Sequence, residues 1–286
     1  MQIHPSAVVS PQARLGRNVV IGPFCVVEEE TEIGEGCRLE SRVVVKRGTT
    51  LGPDNHVFDG ATLGGLPQHA HMPERCGRLV IGAGNCLREY VTIHRALKPE
   101  AVTRIGDRNL LMVNVHIAHD CLIGNQTIMT NNALIGGHVT VHDRAYISAA
   151  VAIHQFCRVG SLAMVGGQAH VTQDVPPYVT VDGNTTQVVG LNLVGLRRGG
   201  FTDTEIIALK GAYRLIYRSG LKWVDMLQRL STEYVSGPAA HYAPFFHAGK
   251  RGFVQERRGP VPATIRISDA ATSDEQANPT QLKRAG

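Results

Sequence analysis

Residues 121–137 read CLIGNQTIMTNNALIGG, and within them an apolar side chain returns at every sixth position: Ile123, Met129, Ile135. Two residues before each stands a small side chain, Cys121, Thr127 or Ala133, and a glycine follows Ile123 and Ile135. Working outward, the same register runs from Ile3 to Leu63 without a failure, resumes at Ile81, Leu87 and Ile93, and continues from Ile105 to Val171; only His69, Arg75 and Pro99 break it. A sustained hexapeptide period marks a parallel β-helix. Each hexapeptide is a short strand plus a corner, three of them close a triangular coil, and successive coils stack at roughly 4.8 Å through strand hydrogen bonds. The aliphatics fill the prism. The small residues, including Cys25, Cys37, Cys121 and Cys157, are expected as core filler, and the glycines as the residues that let the chain turn sharply.

Composition agrees with a soluble globular chain able to bury a core: 286 residues, 43% hydrophobic, 19% charged, mean hydropathy −0.06. No run of eighteen apolar residues is present, and the start MQIHPSAVV lacks the basic and apolar regions of a signal peptide, so a cytoplasmic protein without a transmembrane segment is expected. None of the six cysteines forms a Cys-x-x-Cys pair, which weakens both zinc and disulfide readings. Net charge is +5, but the surplus is local: residues 191–258 carry eleven Lys and Arg against five Asp and Glu, whereas 1–190 carry fifteen against sixteen. Such a basic segment is either a surface for an acidic partner or a solvated helical face.

The organisation follows from the repeat. Residues 1–190 are expected to form the β-helix, with excursions at about 65–78 and 95–104, where irregular chain in a regular scaffold points to function. Beyond them, 191–258 should be an α-helical domain. Thr202 and Glu205 make a capping box for a helix at about 203–219 with Ile206, Leu209, Ala212, Tyr213 and Ile216 on one face; further helices are expected at 223–234 and 239–248. The tail 259–286, rich in Ala, Ser, Thr, Asp and Pro, is expected to be disordered.

Coil geometry then sorts the histidines. His116 is an outward strand residue before Ile117, and His119 and Asp120 occupy the corner after it, so neither can be core. One coil on, Gly137 falls above His119 and His138 above Asp120; His154 follows Ile153 and points outward. A glycine over a histidine leaves space, and its backbone N–H is a donor close to any group the imidazole activates, the arrangement an oxyanion site requires. Zinc-binding β-helix trimers use histidine clusters, but here Asp120 directly follows His119 and no His-x-x-x-x-His pair exists, so no metal and no cofactor is expected. His4, His56, His142, His241 and His247 read as surface histidines without a chemical role.

With the prism, VHIAHDCLIGN at 115–125, the run Ala152-Ile153-His154-Gln155-Phe156, QDVPPYV at 173–179, Gly195-Leu196-Arg197-Arg198 and LIYRSG at 215–220 in view, the chain resembles the UDP-N-acetylglucosamine O-acyltransferases of lipid A biosynthesis over residues 1 to about 255. The resemblance implies an all-β left-handed parallel β-helix with a C-terminal α-helical domain, assembled as a homotrimer with sites between subunits. It implies transfer of a 3-hydroxyacyl chain from acyl carrier protein to the 3-position of UDP-N-acetylglucosamine without a metal, and no nucleic acid among the partners. His119 would be the general base, Asp120 its orienting acid and Gly137 N–H the oxyanion donor. Gln68, His69, His71, His116, His138, His154 and Gln155 match substrate-pocket positions, and Asn192 and Arg198 match nucleotide or phosphate contacts. Gly167 falls where acyl length is set, leaving the groove open for a long chain, and Thr185 replaces a histidine at its far end. Acyl carrier protein, which is acidic, is the implied partner of Lys210, Arg214, Arg218 and Lys222.

Departures cluster at the acceptor side. The loop that usually reads Pro-Gln-Asp-x-Lys is Pro67-Gln68-His69-Ala70-His71, a second arginine is Gly199, and an acid two residues after Asn192 is Val194. Three consequences compete: weaker nucleotide binding, a 3-amino sugar acceptor giving an amide, or a changed acceptor. The N-acyltransferase of the same pathway carries an N-terminal uridine-binding domain, whereas this repeat starts at Ile3. A trimeric scaffold without catalysis is the non-enzyme alternative, and the joint presence of His119, Asp120 and Gly137 argues against it.

Overall fold

The computed structural model describes residues 1–257, so the expectation for the tail 259–286 lies outside the described residues. Short strands of mostly two residues stack into three sheets of 11, 9 and 8 strands, parallel except for the last pair of the first, one along each side of a left-handed triangular prism. Register is strict. In the second sheet Ile93, Ile117, Ile135, Ile153 and Val171 stand in one inward column, and Thr92, His116, Leu134, Ala152 and His170 in the outward column beside it. The usual step is 18 residues, as from Ile117 to Ile135, but grows to 30 between Leu63 and Ile93 and to 24 between Ile93 and Ile117. All three steps are multiples of six, which is why the hexapeptide register survives both interruptions. The irregular segments are narrower than the sequence suggests, because the chain returns from them into Arg78–Ile81 and Val102–Ile105, which pair over four residues.

The corners correct one expectation. The glycines after the aliphatics do not supply left-handed backbone; that falls two residues later and mostly on other residue types, including Asn18, Asp54, Asp120, His138 and Phe156, all with φ near +60°. Left-handed backbone costs a non-glycine residue about 1–2 kcal/mol. A regular hydrogen bond offsets it, since the N–H of the left-handed residue donates to the coil below, as His138 does to the His119 carbonyl at 3.0 Å and Phe156 to that of Gly137 at 3.0 Å. What demands glycine after the aliphatic is close approach: a Cβ on Gly34 would lie 2.5 Å from the Gly52 carbonyl carbon, and one on Gly124 2.8 Å from the Asp143 backbone nitrogen.

Inside the prism the aliphatic columns are almost wholly buried, and Cys25, Cys37, Cys121 and Cys157 fill the narrow corners as anticipated. One buried corner is polar. Asn55, Asn85, Asn109 and Thr127 form a ladder in which each Oδ1 accepts both the backbone N–H and a side-chain donor of the residue above, at 2.7 to 3.0 Å.

Past Val171 the first sheet gains a hairpin that the periodicity did not show, Val179–Asp182 paired antiparallel with Gln187–Leu191. The helices then begin with a short α1, Leu193–Arg198, also unforeseen because six residues are too few for an amphipathic pattern. The capping box at Thr202 and Glu205 opens α2, Asp203–Arg218, whose buried face is Ile206, Leu209, Ala212, Tyr213 and Leu215, with Ile216 at its edge. α3, Trp223–Glu233, a 3-10 turn at Pro238–His241 and α4, Tyr242–His247, complete the cluster. Asp174, itself buried, clamps the two halves: it binds the Arg158 guanidinium at 2.6 and 2.9 Å, and the same guanidinium donates to the Phe245 carbonyl of α4 at 2.8 Å. The chain returns at residues 253–256 to bridge Asp174 and Val188.

Replacing Asn85 with Leu tests the ladder, because it strands the Asn109 N–H and one Asn55 acceptor site in a buried corner. A loss of about 2–4 kcal/mol in a denaturant titration is expected; a change below ~0.5 kcal/mol would show that the ladder contributes nothing net.

Candidate active site

The corner that follows the second sheet carries His119. The imidazole is 9% exposed, so although it lies outside the prism, as its corner position requires, it is covered. Its Nδ1 is 2.7 Å from Oδ2 of Asp120, whose backbone sits at φ +60° and so turns the carboxylate beside the ring. Asp120 cannot use the regular corner hydrogen bond, since its acceptor would fall in the second excursion. The Thr103 hydroxyl replaces it and accepts the Asp120 N–H at 2.8 Å, while the Leu97 N–H from the excursion itself donates to Asp120 Oδ2 at 3.0 Å. The second excursion therefore holds the acid that holds the base.

Gly137 lies over the far edge of the ring: a Cβ there would be 3.0 Å from both Cε1 and Nε2 of His119. Any larger residue would press on the nitrogen opposite Asp120. The Gly137 N–H has no acceptor among the described residues. At another corner of the prism three successive equivalent amides are capped, those of Ala83, Asp107 and Asn125 by the carboxylate or amide oxygens of Asp107, Asn125 and Asp143 at 2.7 to 2.8 Å. Gly137 is thus a buried corner with an uncapped donor beside an imidazole nitrogen.

Three further rings wall this centre. His69 of the first excursion meets His119 edge-on at 5.7 Å between ring centres, and His138 does so from the next coil at 5.2 Å. Phe156, half exposed, stacks on His138 at 4.6 Å. Burial holds His138 below the ordinary imidazole value despite the opposing pull of the Asp120 carboxylate. One strand width away, His116 accepts or donates through Nδ1 to the Thr92 hydroxyl at 2.8 Å, with His94 at 5.1 Å between ring centres; burial first and His94 second push His116 down to about 4.

The remaining residues singled out from sequence are not gathered at this corner. Gln68 and His71 are exposed on the first excursion, with the His71 ring 6.1 Å from that of His69. Gln155, one coil above Gly137, is exposed, and His154 beside it is exposed with Nδ1 3.1 Å from the Gln155 carbonyl. Gly167 sits at the corner after the first sheet, where a Cβ would meet only the Ala149 carbonyl at 3.5 Å, and Thr185 lies exposed on the 183–186 turn of the hairpin. Arg198 is exposed in the last turn of α1. Asn192 has a structural occupation: its Oδ1 caps α1 by accepting the Gly195 N–H at 2.9 Å, and its Nδ2 donates to the Leu162 carbonyl at 2.8 Å.

Several partners escaped the sequence reading. Thr103 and Leu97 become visible only once the excursion folds back, and His94 follows Ile93 as His154 follows Ile153, a parallel the periodicity did offer. Spacing along the chain also argued against a metal, yet stacking brings donor atoms of His119, Asp120 and His138 within 4.8 Å of one another. Four supposed idle histidines are engaged: His241 hydrogen-bonds the Tyr178 hydroxyl, His142 packs against Phe245, His56 Nε2 lies 2.6 Å from Glu40 Oε1, and His4 Nδ1 lies 2.8 Å from the Ser6 hydroxyl. Among the proposed cations, Arg218 is already paired with Glu256 at 2.7 Å, leaving Lys210, Arg214 and Lys222 exposed.

Stacked hexapeptide coils with a paired imidazole at a corner place the molecule in the hexapeptide-repeat class. A family model described as UDP N-acetylglucosamine O-acyltransferase, domain 2, matches residues 174–254. Over 220 residues the chain is 42% identical to the acyl-[acyl-carrier-protein]--UDP-N-acetylglucosamine O-acyltransferase of Synechocystis sp., covering 77% of this chain and 79% of that one. Over 230 residues it is 45% identical to the enzyme of the same name from Halorhodospira halophila, covering 80% and 89%. The solved structure of LpxA from Acinetobacter baumannii superposes with a TM-score of 0.85 at 37% identity, over 89% of this chain and all of that one. The chain belongs to the UDP-N-acetylglucosamine O-acyltransferase family.

Neutral His116 makes stability depend on pH. The unfolded chain takes up a proton near 6.5, the folded one only near 4, so between these values the unfolded state holds more protons and stability falls as pH drops. His116→Gln should flatten the unfolding midpoint against pH across that window; an unchanged slope would show that other groups carry it.

Proposed function

We propose that this protein transfers an acyl chain from acyl carrier protein to a hydroxyl of UDP-N-acetylglucosamine, the first step of lipid A biosynthesis, with His119 as base, Asp120 as its orienting partner and Gly137 N–H as oxyanion donor. The observation that carries the reading is the His119 ring, tied to Asp120 through Nδ1 at 2.7 Å and facing an uncapped amide with its other edge. The names of the relatives, O-acyltransferases, favour a hydroxyl over an amine acceptor.

The chemistry follows from those groups. A sugar hydroxyl is a weak nucleophile at neutral pH, so its proton passes to His119 Nε2 as the oxygen attacks the thioester carbonyl carbon. Asp120 stabilises the imidazolium that forms, and the carbonyl oxygen gathers negative charge against the Gly137 N–H. When the tetrahedral intermediate collapses, the carbon–sulfur bond breaks and the proton held on Nε2 goes to the departing thiolate. The ester and free carrier thiol leave the base as it began. A buried, water-poor corner strengthens both the oxyanion contact and the ion pair.

Substrate contacts extend the same reading. His69, His138 and Phe156 form the wall nearest the base, with His116 on the strand that leads into the corner, and Gly167, whose corner is open, leaves room for a long 3-hydroxyacyl chain. Gly167, Thr185 and Arg198 lie on other elements than the His119 corner, and a homotrimer would bring such residues of one copy against the His119 of the next. Lys210, Arg214 and Lys222, exposed on and after α2, are the cations for an acidic carrier protein.

His119→Ala should fold and assemble as the parent does, with kcat for acyl transfer lower by at least about a hundredfold. Turnover within a few fold of the parent, measured with acyl carrier protein thioester and UDP-N-acetylglucosamine, would remove His119 from the mechanism.

A further inference from the structure

We infer that the same corner is a binding site for a first-row transition-metal ion such as Zn²⁺, with His119, Asp120 and His138 as ligands and His69 of the first excursion as the fourth donor, and that occupancy turns the enzyme off. The inhibition rests on the reading of His119 as base; the binding does not.

Donor atoms of His119, Asp120 and His138 already lie within 4.8 Å of one another, with Asp120 Oδ2 3.9 Å from His138 Nε2. Bonds of about 2.0–2.2 Å to a tetrahedral ion put neighbouring donors about 3.3 Å apart and two ligating imidazole ring centres about 5 Å apart. The observed centres are 5.2 Å for His119 and His138, and 5.7 Å for His119 and His69. Closure therefore needs only small rotations of His138, which is 38% exposed, and of the loop residue His69. His69 Nδ1 lies 3.0 Å from the His71 carbonyl and 3.1 Å from the His71 backbone N–H; the tautomer that donates to the carbonyl has the outer support that ligating histidines use and leaves the Nε2 lone pair free. Two imidazoles, a carboxylate and a third imidazole are the donor types that select zinc, cobalt or nickel over magnesium or calcium.

Inhibition follows whichever His119 nitrogen is taken. An ion on Nε2 occupies the lone pair that must accept the sugar proton. An ion on Nδ1 takes the place of the proton shared with Asp120; that proton moves to Nε2, so the ring stays neutral and the edge that must act as base carries its hydrogen. In either case no base faces the acceptor. His69 is what sets this chain apart: the resemblance places an aspartate there, whereas a histidine completes a nitrogen-rich set.

Cobalt is the probe, because a tetrahedral Co²⁺ site has intense visible bands and an octahedral one does not. Full-length protein freed of metal should bind one Co²⁺ per chain with the tetrahedral spectrum, and Zn²⁺ should displace it. His138→Ala and His69→Ala should each weaken Co²⁺ binding at least about tenfold, while His4→Ala, remote from the set, keeps the parent affinity. Zn²⁺ should suppress acyl transfer and a chelator restore it. A pale octahedral spectrum, or an affinity unchanged in both His138→Ala and His69→Ala, would overturn the site while leaving the transfer chemistry standing. Metal-free protein that binds Co²⁺ in this way but never transfers an acyl chain would instead remove the functional reading.

Discussion

Backbone hydrogen bonds between successive coils are the constraint on which the rest of this molecule depends. Each coil donates to and accepts from the coil next to it at fixed positions, so a residue stands on the residue one coil below as firmly as neighbours in any parallel ladder. Inward columns of Ile, Val and Leu follow from that registry, and so do glycines where adjacent backbones nearly touch. The same registry sets Gly137 over His119 with no contribution from side-chain flexibility. A repeat that is inert along most of its length acquires a reactive corner through a few side chains gathered at one open amide.

Interruptions of the repeat are where the scaffold departs from uniformity, and both end at this corner. The first brings His69 to the His119 ring; the second brings Leu97 to the Asp120 carboxylate, with Thr103 at its return taking the Asp120 N–H. Rigid coils fix the base and the open amide, while the excursions supply covering and orientation. Such preorganisation lets hydrogen bonds act without reorganising at the moment of reaction. The clamp of Arg158, Asp174 and the Phe245 carbonyl performs the same service at larger scale, holding the helical cluster on the end of the prism.

Much of this was legible in the amino-acid sequence because a β-helix converts spacing directly into contact. A step of 18 residues is enough to pair His119 with Gly137 and Asp120 with His138, and the small residues two before each aliphatic foretold the buried cysteines. What escaped depended on chain leaving the period. Leu97 and Thr103 touch Asp120 only after the second excursion folds back, and α1 is too short to show a helical pattern. The glycines misled in a useful way: turning and close approach both select glycine, and only the backbone angles separate them. The coil step already set His138 over Asp120, but how near their donor atoms and that of His119 come, within 4.8 Å of one another, depends on side-chain directions that spacing does not give.

The central claim is that the His119 Nε2 edge and the Gly137 amide together define where acyl transfer happens. A crystal structure of the full chain with UDP-N-acetylglucosamine tests it most directly. The account places the acceptor hydroxyl about 2.6–3.2 Å from His119 Nε2, with the Gly137 N–H open to the space beside that oxygen. A sugar bound with its hydroxyl against another base, and His119 out of hydrogen-bond reach, would contradict it.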